Sequence, residues 1–221
     1  MRPTCLRCLR PTSFCVCAGV PPARARSRLV LLQHPREAGL AICSARLTHV
    51  LVEGSELHRG VRFAGHARVR ALAAVPGAAL LFPGEGARAA ATLADAPPPV
   101  LFALDATWFH AGRMLRDNPF LAALPRLSVR PAQASAYGEL RREPGPEHLS
   151  TLEAVALALG ALERDPARFE PMREAFRRSV ALQLACARGP RHSPRHRGGA
   201  ARDPAGAAPA APAGAAVTPE G

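Results

Sequence analysis

The chain has 221 residues, in which 29 basic residues, all of them arginine, stand against 17 acidic residues and give a formal net charge of +12 at pH 7. This length and an apolar fraction of 48% suffice for the core of one α/β domain with a small appendage. No stretch has the length and apolarity of a membrane span and no secretory signal is recognisable, so we expect a cytoplasmic protein without membrane contact.

The first predicted element is a metal site near the N-terminus. Four of the six cysteines fall within thirteen residues, in closely spaced pairs. They are Cys5, Cys8, Cys15 and Cys17. Four such thiolates can converge on a tetrahedral Zn²⁺, and because no coordination position stays open, this metal is structural rather than catalytic. The alternative is two disulfides, which need an oxidising compartment. Cys43 and Cys186 fall on apolar helical faces and are predicted to be small core residues.

Short apolar runs alternate with helical patterns along the rest of the chain. Runs that end at Pro, Gly or Asp predict buried strands. They cover residues 28–33, 79–82, 99–104 and 126–130. Helical spacing, breakers and a Ser150-x-x-Glu153 capping box predict helices over residues 40–54, 108–116, 150–162 and 166–186. Alternating strands and helices predict an α/β fold, a mostly parallel sheet with helices on both faces, in which ligands bind beyond the carboxyl ends of the strands.

One motif at a strand end carries chemical groups. Asp105 closes an apolar strand, and Thr107 and Trp108 follow directly. In a structural interpretation, Asp105 or Thr107 caps the next helix and Trp108 anchors the core. In a functional interpretation, the carboxylate faces a ligand at the sheet edge, where His34 and the turn Pro83-Gly84-Glu85 end other strands.

The positive charge lies at the two ends of the chain. Residues 1–28 carry six arginines and no acid, and residues 187–221 carry five arginines and two acids among Ala, Gly and Pro. We predict a disordered tail over 187–221, because it cannot bury enough apolar surface to offset the ordering entropy. Basic ends serve either solubility or attraction to a phosphate backbone. In the second case the phosphate contacts would be Arg7, Arg10, Arg24, Arg26 and Arg28.

Six motifs, in order and spacing, resemble the DTW-domain family. The cysteine cluster is the first of them. The others are Leu31-Leu32-Gln33-His34-Pro35-Arg36-Glu37, Ser44-Ala45-Arg46-Leu47, Leu81-Phe82-Pro83-Gly84, Asp105-Ala106-Thr107-Trp108 and Leu149-Ser150-Thr151-Leu152-Glu153-Ala154. Each motif alone is short, but the six together span residues 5–154 and are specific. The chain departs from the family pattern at Ala106, where Gly is usual, and in the segment 137–144, which is one residue longer and lacks an arginine.

The resemblance implies a fold and an activity. Members of this family are known as tRNA-uridine aminocarboxypropyltransferases, which move the 3-amino-3-carboxypropyl group of S-adenosylmethionine to N3 of a uridine in tRNA and leave methylthioadenosine. Their fold is related to the SPOUT class, with a knotted cofactor pocket. The chain then divides into a zinc-binding knuckle at residues 1–27, a DTW/SPOUT-like catalytic domain at residues 28–186, and the basic tail at residues 187–221.

Under this resemblance, Asp105, Thr107 and Trp108 are the catalytic residues. Uridine N3 carries a proton at neutral pH, so its attack on carbon needs a base, for which the Asp105 carboxylate is suited. Thr107 can donate a hydrogen bond to a uracil carbonyl or to the cofactor carboxylate, and Trp108 offers a face for a base or the adenine. The predicted cofactor-binding residues, at a strand end and a helix N-terminus, are Pro83, Gly84, Glu85, Ser150 and Thr151.

Two other functions stay open at this point. A SPOUT-type RNA methyltransferase would use the same fold and the same cofactor, and the mass of the modified nucleoside separates the two activities. A non-catalytic, zinc-containing RNA-binding module would use Asp105 and Trp108 only as structural residues, and it would not bind S-adenosylmethionine. The sequence sets neither the target tRNA, nor the position of the uridine, nor the oligomeric state.

Overall fold

The computed structural model of the protein describes residues 3–131, 135–137 and 149–188. The strands are β1 Arg28–Gln33, β2 Glu56–Arg59, β3 Ala79–Leu81, β4 Arg88–Ala89, β5 Val100–Asp105 and β6 Arg126–Ser128. The helices are α1 Ser44–Leu51, α2 Ala67–Ala73, α3 Trp108–Asp117, α4 Pro119–Ala122, α5 Thr151–Glu163 and α6 Pro166–Arg188. Short 3₁₀ helices lie at Thr12–Phe14 and Ala90–Leu93.

The strands form one sheet in the order β2-β1-β5-β3-β6-β4, and each pair of neighbours is parallel. The apolar runs of β1 and β5 lie at its centre, where both faces are covered. In their register Leu29 is opposite Leu101, and Gln33 is opposite Asp105. Because all strands point the same way, their carboxyl ends meet at one edge of the sheet. The predicted parallel α/β sheet is confirmed.

Helices cover both faces of the sheet, and successive residues of β1 pack alternately on the two helical layers. Leu29 and Leu31 belong to one apolar cluster, which includes buried residues of α1, α5 and α6. Val30 and Leu32 belong to a second cluster, with buried residues of α2, α3 and α4. Each strand residue therefore faces the layer opposite to that of its neighbour, as the period of two in a strand requires.

The cysteine segment packs on the same core as the sheet. Cys8, Val16 and Cys17 are buried in the cluster that includes α1, α5 and α6. The Arg10 guanidinium donates to Ser179 Oγ of α6 at 2.6 Å, and the Arg7 guanidinium donates to the carbonyl of Val50 in α1 at 3.1 Å. The segment is therefore bonded to two helices as well as packed on them.

Two strands, two helices and one helix boundary differ from the sequence prediction. The helices that it lacks are α2 and α4. The segment Glu56–Arg59 has a single apolar residue and does not show the pattern of a strand, but it pairs with β1 along its full length. The two-residue strand β4 is too short to predict. The helix expected from residue 40 begins at Ser44, because residues 34–40 make turn hydrogen bonds and Cys43 is extended.

One cysteine prediction is wrong. Cys186, expected in the core, is exposed near the end of α6. The last buried residue of this helix is Val180, so its final turns extend beyond the core. Cys43 is half-buried. The predicted disorder of residues 187–221 falls almost wholly outside the described residues, and so does most of the altered segment 137–144. Within the described ranges, no helix combines the length and the apolar composition that a membrane crossing requires.

Candidate functional site

A buried carboxylate lies at the carboxyl edge of the sheet. Asp105 is the last residue of β5 and is 4% exposed. Its side chain accepts hydrogen bonds from Gln33 Nε2 at 2.8 Å, from Ser44 Oγ at 3.1 Å and from Thr151 Oγ1 at 2.8 Å. These donors come from the end of β1, the start of α1 and the start of α5. Four segments that are distant in sequence therefore meet at one carboxylate.

All three donors to Asp105 are neutral. Among the described residues, no arginine or histidine forms an ion pair with this carboxylate. A buried charge is costly unless it is balanced by an opposite charge or by hydrogen bonds. The three hydrogen bonds satisfy the oxygens but bring no positive charge, so the site is suited to a cationic ligand.

Gln33 belongs to one of the six motifs, but the sequence prediction gives it no role, and in the structure it is central. It is fully buried, and its Nε2 also lies 3.0 Å from Cys43 Sγ. Its Oε1 has no hydrogen-bond partner. Burial, and then the charge of Asp105, raise the pKa of the Cys43 thiol, so Cys43 stays neutral beside the carboxylate. A polar residue at the end of a buried apolar strand is the available signal for Gln33.

A cavity of about 430 Å³ opens in front of Asp105. This volume lies in the range of small-molecule sites. Its polar walls come from strand ends and helix starts, and its apolar walls come from β3, β6 and α3. The lining includes six of the predicted site residues: Asp105, Trp108, Pro83, Gly84, Ser150 and Thr151. Ser44 and Tyr137 line it as well, and the sequence prediction assigns neither of them a role.

Trp108 is a wall of this cavity rather than a fully buried anchor. It is half-buried as the first residue of α3, and its ring lies 5.7 Å from the ring of Phe82, measured between centroids. Thr107 caps α3, because its Oγ1 accepts from the backbone N–H of His110 at 3.3 Å. Its hydroxyl also lies 2.9 Å from His110 Nδ1. The helix-cap interpretation is thus confirmed for Thr107. The Asp105 side chain instead accepts hydrogen bonds from side chains of three other segments.

A second cavity of about 480 Å³ adjoins the first. It is lined by Glu37, Leu40, Ala41, Ile42, Thr107, Tyr137 and Gln183. Tyr137 lines both cavities, and the Asp105–Trp108 segment contributes Asp105 and Trp108 to one and Thr107 to the other. Two compartments that share a wall can hold two reactants next to each other.

The start of α5 is fixed by the predicted capping box. Ser150 Oγ accepts from the backbone N–H of Glu153 at 3.2 Å, and the Glu153 carboxylate accepts from the backbone N–H of Ser150 at 3.0 Å. The Ser150 hydroxyl is therefore engaged within the cap. In the first turn, the backbone N–H groups have no partner inside the helix, so the groups that can meet a ligand are those next to Thr151.

The turn after β3 lies partly at the first cavity and partly in solvent. Pro83 and Gly84 line the first cavity, whereas Glu85 is exposed and lines neither cavity. Gly84 has φ +143°, and a Cβ atom there would lie 2.9 Å from an Arg126 guanidinium nitrogen. Only glycine fits this turn without strain, because L side chains rarely adopt this backbone conformation, whereas the Arg126 side chain could move aside.

The four N-terminal cysteines form a compact cluster. Their Sγ atoms all lie within 4.8 Å of one another, with 3.7 Å between Cys5 and Cys17, 3.8 Å between Cys8 and Cys15, and 3.6 Å between Cys15 and Cys17. In a tetrahedral site with Zn–S bonds of about 2.3 Å, sulfurs are about 3.8 Å apart. All six cysteines are free thiols. The cluster can hold a metal ion such as zinc, and its distances do not fit disulfides.

The thiols of this cluster differ in their electrostatics. Hydrogen bonds from the backbone N–H groups of Cys8 and Arg7 lower the pKa of Cys5 to about 6. Burial raises the pKa of Cys8 and that of Cys17. A bound metal deprotonates the thiols that coordinate it, so the metal supplies the charge that the two buried thiolates need.

The arginines near the N-terminus are bonded to the protein itself. Arg24 pairs with Glu53, Arg26 with Glu163 and Arg28 with Glu56. Arg7 and Arg10 donate to carbonyls and to Ser179, as described for the cysteine segment. Because these guanidinium groups already have partners, the structure favours a role in the fold over the hypothesis that they bind phosphates.

Fold and site together define a class of protein. It is a parallel α/β protein whose strands end at a cavity with a buried carboxylate, and whose N-terminal segment carries a cluster of four cysteines. The DTW domain model matches residues 2–184, and the chain belongs to the DTW domain family.

Curated relatives carry one kind of name. The chain is 28% identical to tRNA-uridine aminocarboxypropyltransferase 2 of Macaca fascicularis over 74% of its own length and 58% of the relative's. It is 28% identical to the Mus musculus protein of the same name, over 83% of its own length and 64% of the relative's. It is 30% identical to the Drosophila melanogaster protein of that name, over 75% of its own length and 68% of the relative's. The chain thus spans less than two thirds of the length of the first two. No solved structure matches it at a significant level.

Proposed function

We propose that this protein is an enzyme that transfers the 3-amino-3-carboxypropyl group of S-adenosylmethionine to N3 of a uridine in tRNA. Membership of the DTW family and the names of the relatives support the reaction class. The observation that carries the proposal is the Asp105 carboxylate, which is buried at a cavity wall and has no cationic partner among the described residues. A sulfonium cation is the ligand that this arrangement suits.

The residues around the first cavity fit such a donor molecule. S-adenosylmethionine supplies an electrophilic carbon next to a positively charged sulfur. The Asp105 carboxylate attracts the sulfonium, and the ring of Trp108 offers a stacking face to the adenine. The N-terminus of α5 at Thr151 favours the donor's carboxylate, because its free backbone N–H groups and the helix dipole both attract an anion.

The second cavity suits the acceptor. N3 of uridine is hidden in a base pair, so the target must be unpaired or extruded, and a compartment that shares Tyr137 with the donor cavity can receive it. In the reaction the N3–Cγ bond forms as the Cγ–S bond breaks, the bonding pair passes to sulfur, and methylthioadenosine leaves. The N3 proton goes to Asp105, which accepts hydrogen bonds from Gln33, Ser44 and Thr151. Thr107, which lines the second cavity, would bond a uracil carbonyl.

Several finer assignments belong to the same proposal. The cysteine cluster holds a structural zinc ion in a knuckle at residues 1–27, and the catalytic part covers residues 28–186. Its cofactor pocket has the knotted architecture of the SPOUT class, and the protein acts in the cytoplasm. The family resemblance supports these assignments, and the sulfur–sulfur distances support the zinc.

The test is to incubate the purified protein with S-adenosylmethionine and bulk tRNA and to analyse the nucleosides by mass spectrometry. We expect a uridine that has gained an aminocarboxypropyl group, and methylthioadenosine as the co-product. A methylated nucleoside with S-adenosylhomocysteine would instead identify a methyltransferase. Binding of tRNA without any product, and without calorimetric binding of S-adenosylmethionine, would leave only an RNA-binding module and would overturn the proposal.

A further inference from the structure

The exposed face of α3 carries an aromatic residue and two arginines in a row. Phe109, Arg113 and Arg116 are spaced by four and three residues, so they lie on one side of the helix, and all three are exposed. The opposite side is buried in the core through Met114 and Leu115. We call Phe109, Arg113 and Arg116 the α3 stripe. Along the helix axis it extends about 10 Å from the first turn.

Phe109 lies outside the buried core. It is 71% exposed, and it is the only large aromatic side chain among the described residues that is exposed. It directly follows Trp108, which lines the first cavity, so the stripe begins at the candidate active site. An exposed aromatic ring next to a nucleoside-sized cavity is a platform on which an unpaired base can stack.

The arginines of the stripe differ from those of α6. Arg173 and Arg177 of α6 contact Glu170 at 2.7 Å and 2.6 Å, so their charges are compensated. Arg113 has only a 4.0 Å contact with Asp117, an acid that Arg62 also approaches at 3.8 Å. Arg116 has no acidic partner among the described residues. The stripe therefore keeps a positive charge that is open to solvent.

A pair of stacked imidazoles continues the surface toward the end of β1. The His34 and His110 rings are 4.2 Å apart and nearly parallel, and Phe109 meets His110 edge-on at 5.6 Å. Burial, and then the charges of His110, Arg36 and Arg113, lower the pKa of His34, which disfavours its charged form. Flat rings bordered by arginines are the features that bind single-stranded nucleic acid.

We propose that the α3 stripe binds the single-stranded RNA nucleotides next to the target uridine, with a base stacked on Phe109 and phosphates on Arg113 and Arg116. This inference rests on the proposed function in taking RNA as the partner, but it concerns a surface outside both cavities. Phe109 provides affinity that tolerates different sequences, because every base has a stacking face. The arginines provide the part of the affinity that depends on salt.

The experiment measures binding of the full chain to labelled oligouridylate and to bulk tRNA by fluorescence anisotropy over a range of salt concentrations. Phe109→Leu keeps the apolar volume and removes the aromatic face, and Phe109→Trp keeps the face. We expect Phe109→Leu to weaken binding by roughly 5- to 150-fold, which corresponds to stacking of about 1–3 kcal/mol per base, and Phe109→Trp to restore it. Equal affinity of the parent and Phe109→Leu would overturn the inference.

The charge of the stripe is tested separately. Arg113→Gln with Arg116→Gln should lower the slope of log affinity against log salt by up to about 0.7 for each phosphate of a single strand that the variant no longer neutralises. Arg178→Gln, an exposed arginine of α6, serves as the control and should leave the slope unchanged. An unchanged slope in the double variant, or competition by polyglutamate as strong as that by RNA, would reject RNA as the partner.

The same variants separate this inference from the proposed reaction. Calorimetric binding of S-adenosylmethionine should be equal in the parent and in Phe109→Leu, because Phe109 does not line the donor cavity. If RNA binding depends on Phe109 but no aminocarboxypropyl group is transferred, the stripe stands and the reaction fails. If the parent transfers the group while both Phe109→Leu and the arginine variant bind RNA normally, the reaction stands and the stripe fails.

Discussion

The cysteine cluster and the Asp105 site are both groups of polar side chains taken out of water, but they are built in opposite ways. The cluster takes its four sulfurs from residues 5–17, and they surround one point at the spacing of a filled coordination shell. The Asp105 site takes its groups from residues 33, 44, 105 and 151, and it opens on a cavity. One site is local and closed, and the other is assembled by the fold and open.

This difference in geometry corresponds to a difference in role: a closed cluster serves stability, and an open site serves binding or chemistry. A closed shell has no place for a substrate, so whatever free energy it contributes goes into stability. An open site with a buried carboxylate that has no cationic partner contributes less to stability, which is typical of groups kept for binding or chemistry. Variants at the two sites should therefore separate stability from turnover.

The largest effect is expected at the closed site. Cys5→Ser combined with Cys17→Ser removes two of four ligands, and the metal content should fall from about one ion per chain to nearly none. Metal binding contributes on the order of 10 kcal/mol to the folding of small zinc domains, so the melting temperature should fall sharply. Elemental analysis and thermal melts measure this, with the exposed Cys186→Ser as the control. Equal metal content in the double variant and the parent would contradict the comparison.

The next effect is expected at the open site. Asp105→Asn keeps the shape of the side chain but removes the base and the negative charge, so turnover should fall by roughly 10²–10⁴-fold, the usual range for loss of general-base catalysis. The melting temperature should stay close to that of the parent. Single-turnover kinetics on tRNA measure the effect, and Asp95→Asn, an exposed carboxylate that pairs with Arg164, is the matched control. Undiminished turnover would make Asp105 purely structural.

A smaller effect is expected from a residue that only positions Asp105. Gln33→Met fills a similar volume and removes the donor to the carboxylate. A hydrogen bond to a charged group contributes about 1.5–3 kcal/mol, so turnover should fall by roughly 10- to 150-fold. The affinity for S-adenosylmethionine, measured by calorimetry, should change less than turnover. A loss of melting temperature with unchanged turnover in the folded fraction would assign Gln33 to stability instead.

The smallest effect is expected where a cap and a cavity wall coincide. Ser150→Ala removes one bond of the capping box and should cost about 0.5–2 kcal/mol of unfolding free energy. Because the proposed contact to the donor's carboxylate uses backbone N–H groups, the affinity for S-adenosylmethionine should change little. Urea denaturation and calorimetry measure the two quantities. A large loss of affinity with unchanged stability would make the Ser150 hydroxyl a ligand contact.

The same contrast explains how far the sequence could be interpreted. The cysteine cluster is predictable because its members are neighbours in the chain and their spacing is itself the evidence. The central strands are predictable because parallel strands buried on both faces appear as continuous apolar runs. The edge strand β2 is not, because Glu56–Arg59 has one apolar residue and becomes a strand only by pairing with β1.

The partners of Asp105 could not be predicted. Gln33 meets Asp105 because β1 lies next to β5, and the order of strands in a sheet is not visible in local sequence patterns. Ser44 and Thr151 reach the same carboxylate because both helices start at the carboxyl edge. Asp105 itself is identifiable from its place at the end of an apolar strand. The position of the site was therefore predictable, but the side chains that bond to Asp105 were not.

Arg10 links the cysteine cluster to the second cavity. Its backbone carbonyl accepts from the N–H of Cys5 at 2.8 Å, and its guanidinium donates to the carbonyl of Ala41 at 3.0 Å. Ala41 is a wall residue of the second cavity. Since coupling between two binding equilibria is reciprocal, a molecule that binds this wall more tightly in the metal-loaded protein also raises the affinity of the cysteines for the metal. We therefore expect the RNA-bound protein to keep its metal at higher chelator concentrations than the free protein, so that copies without RNA would lose their metal first.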